Sequence, residues 1–187
     1  MYVDSIGLLQ VVTGHLQLDS NRALTSIIFP SLAAVGDYFL IKYNPALTLI
    51  SAARLITVGA YVQIVGNQEL TQISADNLTH TGGRFEAGTN NNLTQISVAS
   101  LSKVDDNFAI YDNGKLTRIS ADNLQRVAGR VYIAYNSKLK ISKYDGLANL
   151  TCVGDILSTN LDDCSTALKA RVTTAAAAWG TLACDRV

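Results

Sequence analysis

The chain has little charge, and neither sign is in excess. Charged residues make up 16% of its 187 residues, with 15 Lys and Arg against 15 Asp and Glu. Proteins that bind nucleic acid normally carry a basic excess or stripe, so the composition argues against a nucleic-acid partner. No stretch approaches about 18 consecutive apolar residues, so no membrane insertion is predicted. A hydrophobic content of 48% is nevertheless enough for a sizeable core and excludes a disordered chain.

The usual combinations of catalytic residues are also missing. The chain has two His and three Cys, with no Ser/His/Asp spacing, no phosphate-binding glycine loop and no metal-binding combination. We therefore predict a non-catalytic protein without a cofactor. The alternative is a polysaccharide-processing β-helix enzyme, which would need carboxylates on its outer face. The candidates are Glu86, Asp105, Asp106 and Asp112, which we interpret as solvated surface residues.

A repeat of 23 residues extends from Thr13 to Leu150. We number the positions within each copy from one to twenty-three, and the six copies begin at Thr13, Gly36, Gly59, Gly82, Asp105 and Ala128. Positions four and six are apolar, position fifteen is Ile in five copies, and positions twelve and twenty are always Leu. The ninth position is always Asn: Asn21, Asn44, Asn67, Asn90, Asn113 and Asn136. A period of about 20–29 residues indicates a solenoid.

The repeat predicts a mainly β protein, a right-handed, leucine-rich-repeat-like β-solenoid (β-helix) of about six coils. Apolar positions four and six around a variable fifth position give the alternation of a half-buried strand, and stacked coils align these strands into a parallel sheet. The Asn after the strand can bond the backbone of the turn and form a ladder between coils. We predict a solenoid domain over 1–157, of which 1–12 fit half of a preceding coil. We therefore expect a fragment whose signal peptide is missing.

The last 30 residues differ from the coils. Residues 158–187 are predicted to form a helical, cysteine-containing cap, with a helix over about 165–178 that carries Leu168, Val172 and Ala175 on one face. All three cysteines, Cys152, Cys164 and Cys184, fall near this end. Their clustering favours a disulfide and an oxidising compartment, without indicating which two pair.

The coil sequence resembles a known family. Residues 58–73, V-G-A-Y-V-Q-I-V-G-N-Q-E-L-T-Q-I, resemble the V-G-G-x-L-x-I-x-x-N-x-x-L-x-x-I coil of receptor L-domains. These are the leucine-rich-repeat-like β-solenoids of insulin- and EGF-receptor ectodomains and of related fungal cell-wall proteins. A second resemblance, of Leu24 to Pro30, is to bacterial surface leucine-rich repeats, which usually have Cys in place of the Asn. Both imply an extracellular or cell-surface protein that binds a ligand.

The positions that vary between copies indicate where a ligand could bind. Positions three, five, seven and eight change freely and are predicted to face outward, and six of the eight tyrosines fall on them. Exposed tyrosine with scattered arginine is typical of protein interfaces, although cross-strand stacking that only stabilises the sheet would also explain it. The predicted residues for binding a protein or glycan partner are Tyr38, Tyr43, Tyr61, Arg84, Tyr111, Arg130, Tyr132 and Tyr135.

A column of threonines provides a further alternative. Position thirteen holds Thr25, Thr48, Thr71, Thr94 and Thr117, and regular threonine arrays on solenoids can bind ice. We interpret these hydroxyls instead as hydrogen-bonding the turn backbone. Three N-x-[ST] sequons, at Asn77, Asn92 and Asn149, permit glycosylation without arguing for it.

Overall fold

The computed structural model describes residues 7–139 and the backbone of strand 152–158. Within these residues the chain is a parallel β-solenoid of about five turns, with no helix. Each full turn contributes three short strands rather than the single strand that the alternation of positions four and six predicts. The expected helix over 165–178 and the end of the sixth coil lie outside the described residues.

Seventeen strands occur in chain order within the described residues, and their lengths follow their place in the coil. The two-residue strands at the end of each coil are β1 (Val11–Val12), β4 (Ala34–Val35), β7 (Thr57–Val58), β10 (His80–Thr81) and β13 (Lys103–Val104). The four-residue strands at positions four to seven are β2 (Leu16–Asp19), β5 (Phe39–Lys42), β8 (Val62–Val65), β11 (Phe85–Gly88) and β14 (Phe108–Tyr111). The three-residue strands at positions fourteen to sixteen are β3 (Ser26–Ile28), β6 (Leu49–Ser51), β9 (Gln72–Ser74), β12 (Gln95–Ser97) and β15 (Arg118–Ser120). The remaining two are β16 (Arg126–Ala134) and β17 (Cys152–Ser158).

The strands form two parallel sheets. The 12-stranded sheet has the order β1-β4-β7-β10-β13-β16-β14-β11-β8-β5-β2, and β17 pairs with β16. The two-residue strands and the four-residue strands belong to the same sheet because the last strand of each set pairs with β16, which is continuous where the earlier coils have two separate strands. The five-stranded sheet has the order β15-β12-β9-β6-β3. From β1 to β16 each residue pairs with the one 23 positions later, as in Phe39 with Val62, so the sequence repeat is the register of the sheets. The β16–β17 pair departs from this register, since Arg126 pairs with Cys152 and Val131 with Ile156.

The invariant apolar positions form one continuous core. Position six is buried from Ile41 onward, and so are the described leucines of positions twelve and twenty and the isoleucines of position fifteen. Aromatic rings add contacts between coils, since Phe85 and Phe108 stack with centroids 5.4 Å apart. The sequence prediction of inward positions is confirmed. Leu40, at the outward position five, is an exception, because its neighbours cover it to 5% exposure.

The invariant asparagines form the predicted ladder. From Asn44 to Asn136 they are fully buried, and each side chain serves the preceding coil. In Asn67, Oδ1 accepts a bond from the backbone N–H of Asn44 at 3.0 Å, while Nδ2 donates to the carbonyl of Ile41 at 3.1 Å. Buried backbone groups that lack partners are costly, so this side chain is required at the end of the strand. The asparagines are therefore framework residues.

The coils approach one another closely at position one. A Cβ added to Gly59 would lie 2.1 Å from the carbonyl oxygen of Gly36, and one added to Gly82 would lie 2.0 Å from that of Gly59. Contacts this short leave no room for a side chain. Three successive glycines therefore allow the backbones of neighbouring coils to come together here.

Position eight has a left-handed backbone in every described coil. The residues are Ser20, Tyr43, Gly66, Thr89, Asp112 and Tyr135, with φ between 53° and 71°. Five of the six are not glycine, although this region disfavours side chains with a Cβ by about 1–2 kcal/mol. The turn between the strand and the asparagine requires this conformation. The sequence gives no indication of it, because the six residues share no property.

Replacing Thr89 with asparagine is expected to raise the free energy of unfolding by about 1 kcal/mol, because a β-branched residue is poorly suited to φ 55° and asparagine tolerates it. The backbone bonds of Thr89 to Tyr111 and Gln68 are unaffected by the change. Urea denaturation followed by circular dichroism measures the difference. Thr57→Asn, the same change in the extended strand β7, should give no gain, and an equal gain there would contradict the explanation.

Candidate functional site

The predicted ligand-binding residues all lie on the outward side or the rim of the larger sheet, and none is buried. Tyr111 lies within β14 and Tyr132 within β16. These two strands are paired, with Tyr132 opposite Ala109. Tyr38, Tyr43, Tyr61 and Arg84 directly precede or follow four-residue strands, Arg130 lies in β16, and Tyr135 directly follows β16. We call this surface the tyrosine face: Tyr38, Tyr43, Tyr61, Arg84, Tyr111, Arg130, Tyr132 and Tyr135.

Position three forms a continuous stack across four coils. The rings of His15 and Tyr38 have centroids 4.6 Å apart, and those of Tyr38 and Tyr61 are 5.0 Å apart with planes within 6° of parallel. The guanidinium carbon of Arg84 lies 4.6 Å from the centroid of Tyr61. Parallel strands are spaced by about 4.8 Å, which is close to a ring stacking distance, so the repeat itself aligns these side chains.

Glu86 organises the middle of the tyrosine face. Its Oε2 accepts bonds from Nε of Arg84 at 2.9 Å and from Nε2 of Gln63 at 2.8 Å, and the hydroxyl of Tyr111 donates to Oε1 at 2.5 Å. Only 13% of the Glu86 side chain is exposed. Both carboxylate oxygens are therefore occupied by protein donors, so this candidate for catalysis serves in the structure as an anchor for Tyr111.

Burial raises the pKa of the Tyr111 hydroxyl well above its usual 10.0, and the bond to Glu86 raises it further. Replacing Glu86 with glutamine is expected to lower this pKa, which tyrosine ring signals in an NMR titration would show. Since the folded-state pKa exceeds the unfolded value, Tyr111 favours the folded state below about pH 10, and this contribution is lost as the pH rises toward the folded-state pKa. If the pKa stays unchanged in Glu86→Gln, the carboxylate is not the cause.

Tyr43 and Tyr135 are the most exposed aromatic residues on the tyrosine face, at 56% and 62%. Both occupy position eight, with φ of 54° and 55°. The Tyr43 ring covers Gly66 in the next coil, and the ammonium of Lys42 lies 5.7 Å from its centroid. Neither ring belongs to the stack of position three, so much of their apolar surface faces solvent.

The remaining carboxylates do not form a cluster with Glu86. Asp105 lies in the bend between β13 and β14, where it contacts Nε2 of His80 and Nζ of Lys103, each at 2.8 Å. The bonds from Lys103 and His80 lower its pKa below the usual value. Asp106 and Asp112 are exposed. Within the described residues no group of three or more His, Cys, Asp or Glu is arranged to hold a metal ion.

From Thr48 onward the threonine column bonds the backbone, as the sequence predicts. The hydroxyl of Thr48 donates to the carbonyl of Thr25 at 2.9 Å, and that of Thr71 donates to the carbonyl of Thr48 at 2.9 Å. The same bond recurs at Thr94 and Thr117. These hydroxyl hydrogens are therefore directed at the preceding coil rather than at solvent, which weakens the case for an ice-binding array.

Two of the three sequons, at Asn77 and Asn92, lie within the described residues. Asn77 is exposed, whereas the amide of Asn92 donates to Glu69 at 3.0 Å and accepts a bond from Lys115 at 2.6 Å. Cys152 belongs to β17, but the side chains of Cys152, Cys164 and Cys184, and the sequon at Asn149, lie outside the described residues.

Comparisons of the chain with models of protein families, with characterised proteins and with solved structures found no match. The parallel solenoid agrees with the architecture that the resemblance to receptor L-domains implies, while membership of that family stays a prediction. The described part of the chain contains no helix long and apolar enough to span a membrane.

Proposed function

We propose that the chain is a non-catalytic binding module that recognises a protein or glycan partner through the tyrosine face. The observation that carries this proposal is that two rings at position eight, Tyr43 and Tyr135, are exposed on the same tyrosine face that carries the prealigned stack of position three. Rigid aromatic surface binds partners at low entropic cost, because few rotamers are lost on contact. The stack of position three supplies such a surface before any partner arrives.

The alternative interpretation, in which the rings only stabilise the sheet, accounts well for the stacked residues Tyr38 and Tyr61. It accounts less well for Tyr43 and Tyr135, which lie outside the stack and are mostly exposed. A bulky residue with positive φ is strained, and an exposed ring also leaves apolar surface in water. Asparagine or glycine would suit this turn better. Contact with a partner therefore explains the two tyrosines at this position better than stability of the turn does.

The context of this module is also part of the proposal. We infer an extracellular or cell-surface protein built as a receptor L-domain-like solenoid of six coils over 1–157, closed by a helical cap over 158–187. A disulfide between two of Cys152, Cys164 and Cys184 is part of the proposal, and one that includes Cys152 would join the cap to the coils. Mass spectrometry of the non-reduced chain tests this element, since a disulfide lowers the mass by two hydrogens. Cys152 and Cys164 share one tryptic peptide, so a bond to Cys184 links two peptides, whereas a Cys152–Cys164 bond lowers the mass of a single peptide.

Replacing both Tyr43 and Tyr135 with asparagine is expected to weaken partner binding at least about tenfold, because the exposed rings supply the contact area. Asparagine is chosen since it tolerates a positive φ and keeps the coil folded. The partner is first identified by screening the wild-type chain on glycan arrays and panels of purified secreted proteins. The affinity of the double variant for that partner is then measured by surface plasmon resonance.

Ser20→Asn is the matched control, because it makes the change at the same turn, in the coil before Tyr43, without removing an aromatic ring. Its affinity should equal that of the wild type. An unchanged affinity in the Tyr43 and Tyr135 double variant would contradict the proposal. Thermal hysteresis, or hydrolysis of polygalacturonate that disappears in Asp112→Asn, would instead support the ice-binding or enzymatic alternative.

A further inference from the structure

A groove crosses four to five coils on a different side of the solenoid from the tyrosine face. Its volume is about 680 Å³, a size common among ligand sites. Residues at position nineteen line one side of the groove, and residues at positions twenty-one and twenty-two line the other side. The leucine of position twenty, which lies between them in the sequence, is buried. The lining residues are Gln10, Val11, Ser31, Ala33, Arg54, Ile56, Asn77, Thr79 and Ser100.

The polar side chains of the groove are largely unoccupied. Gln10, Arg54, Asn77 and Ser100 make no side-chain hydrogen bond or ion pair with any residue in 7–139, unlike the interlinked side chains around Glu86. Arg54 is exposed and is the one charged residue of the lining. An unpaired guanidinium beside free amides and a hydroxyl favours a ligand that has both a negative charge and several hydroxyl groups.

The backbone at position twenty-one of the groove, in contrast, is already paired. The N–H of Ile56 donates to Ala33 and that of Thr79 donates to Ile56, both at 2.8 Å. An extended peptide that binds by strand addition needs a run of unpaired backbone groups at a sheet edge, and this column, which lies between bonded coils, does not provide one. Recognition at this column must therefore come from side chains, which suits a ligand rich in hydroxyls better than a polypeptide.

The groove also has an apolar side and a regular spacing. Ile56 is 48% exposed and follows Ala33 in the column of position twenty-one, so it can pack against the C–H face of a sugar ring. Neighbouring coils are about 4.8 Å apart, close to the length of one pyranose unit in an extended chain. From these observations we infer that the groove binds an extended acidic oligosaccharide, with a uronate carboxylate at Arg54 and sugar hydroxyls at Gln10, Asn77 and Ser100.

The test measures binding of defined uronate tetrasaccharides by isothermal titration calorimetry. Oligogalacturonate, oligomannuronate and a hyaluronan fragment are the probes, and a neutral galactan tetrasaccharide is the reference. The protein is the full chain made in bacteria, so that Asn77 carries no glycan. At least one uronate probe should bind more tightly than the neutral reference, and its affinity should fall as salt rises. Arg54→Gln should weaken that binding about tenfold or more without affecting the neutral reference.

Arg22→Gln is the matched control, because Arg22 is exposed, carries the same charge and lies at position ten, outside the groove lining. It should bind the uronate probe as the wild type does. Asn77→Ala should weaken uronate and neutral probes alike, since its amide meets hydroxyl groups. The inference is overturned if no uronate probe binds, if Arg22→Gln and Arg54→Gln lose equal affinity, or if a polyglutamate peptide binds more tightly than the sugars with the same dependence on Arg54.

Discussion

Replacing Asn90 with alanine is expected to lower the free energy of unfolding by about 3–6 kcal/mol. The Asn90 side chain is fully buried, and its Oδ1 accepts the backbone N–H of Asn67 at 2.9 Å while its Nδ2 donates to the carbonyl of Ile64 at 3.0 Å. Without it, two buried backbone groups of the preceding coil lose their partners, each at about 1–3 kcal/mol, and a cavity remains. Guanidinium denaturation followed by circular dichroism measures the loss.

Asn90→Asp should not rescue the protein. One carboxylate oxygen would still accept from Asn67, but the other would face the carbonyl oxygen of Ile64, and a buried charge would replace a neutral group. Asn21→Ala is the matched control. Asn21 holds the same position but is exposed at the first coil, so its loss should cost less than about 1 kcal/mol. Equal costs for Asn90→Ala and Asn21→Ala would show that the ladder does not stabilise the fold in this way.

Replacing Gly59 with alanine is the second change for which a large loss is expected, about 3 kcal/mol or more. The new Cβ would lie 2.1 Å from the carbonyl oxygen of Gly36, and this neighbour is backbone. Relief requires the coils to move apart, which strains the bonds from the Gly59 N–H to Val35 and from the Ala60 N–H to Asp37. Differential scanning calorimetry should show a lower Tm.

The fifth copy of the repeat carries a side chain at position one in place of glycine. Asp105 occupies position one in the coil after Gly82, and its N–H still donates to the carbonyl of Thr81. The N–H of Asp106, however, makes no bond within residues 7–139 that corresponds to the bond from the Ala60 N–H to the carbonyl of Asp37. Gly114→Ala is the control for Gly59→Ala, because nothing lies within 4 Å of its added Cβ. That variant should be neutral or slightly stabilised. A Gly59→Ala protein as stable as Gly114→Ala would show that the coils can separate at little cost.

The residues that repeat were sufficient to predict the framework. Asn at position nine and the inward apolar positions recur in each copy, so one chain carries several independent observations of the same environment. The three-residue strands at position fifteen were missed, because a single buried isoleucine such as Ile73 is too short a pattern to show alternation. The two-residue strands were missed for the same reason.

The candidate sites were less predictable, because they depend on pairs of variable residues in different coils. The contact of Tyr111 with Glu86 joins residues 25 positions apart, and neither belongs to a repeated pattern. The positive φ of Tyr43 and Tyr135 leaves no trace in composition, since serine, glycine and aspartate occupy the same position elsewhere. The groove around Arg54 was missed because positions nineteen and twenty-one vary between copies, and variation alone does not distinguish a binding surface from a tolerant one.

The asparagine ladder gives the solenoid a direction. Each Asn side chain satisfies backbone groups of the coil before it, as Asn113 does for Asn90 and for the carbonyl of Ala87. A coil is therefore complete only once its successor has been added. During synthesis from the N-terminus, folding would then lag translation by one turn. Each coil that leaves the ribosome would complete the backbone hydrogen bonds of the coil before it.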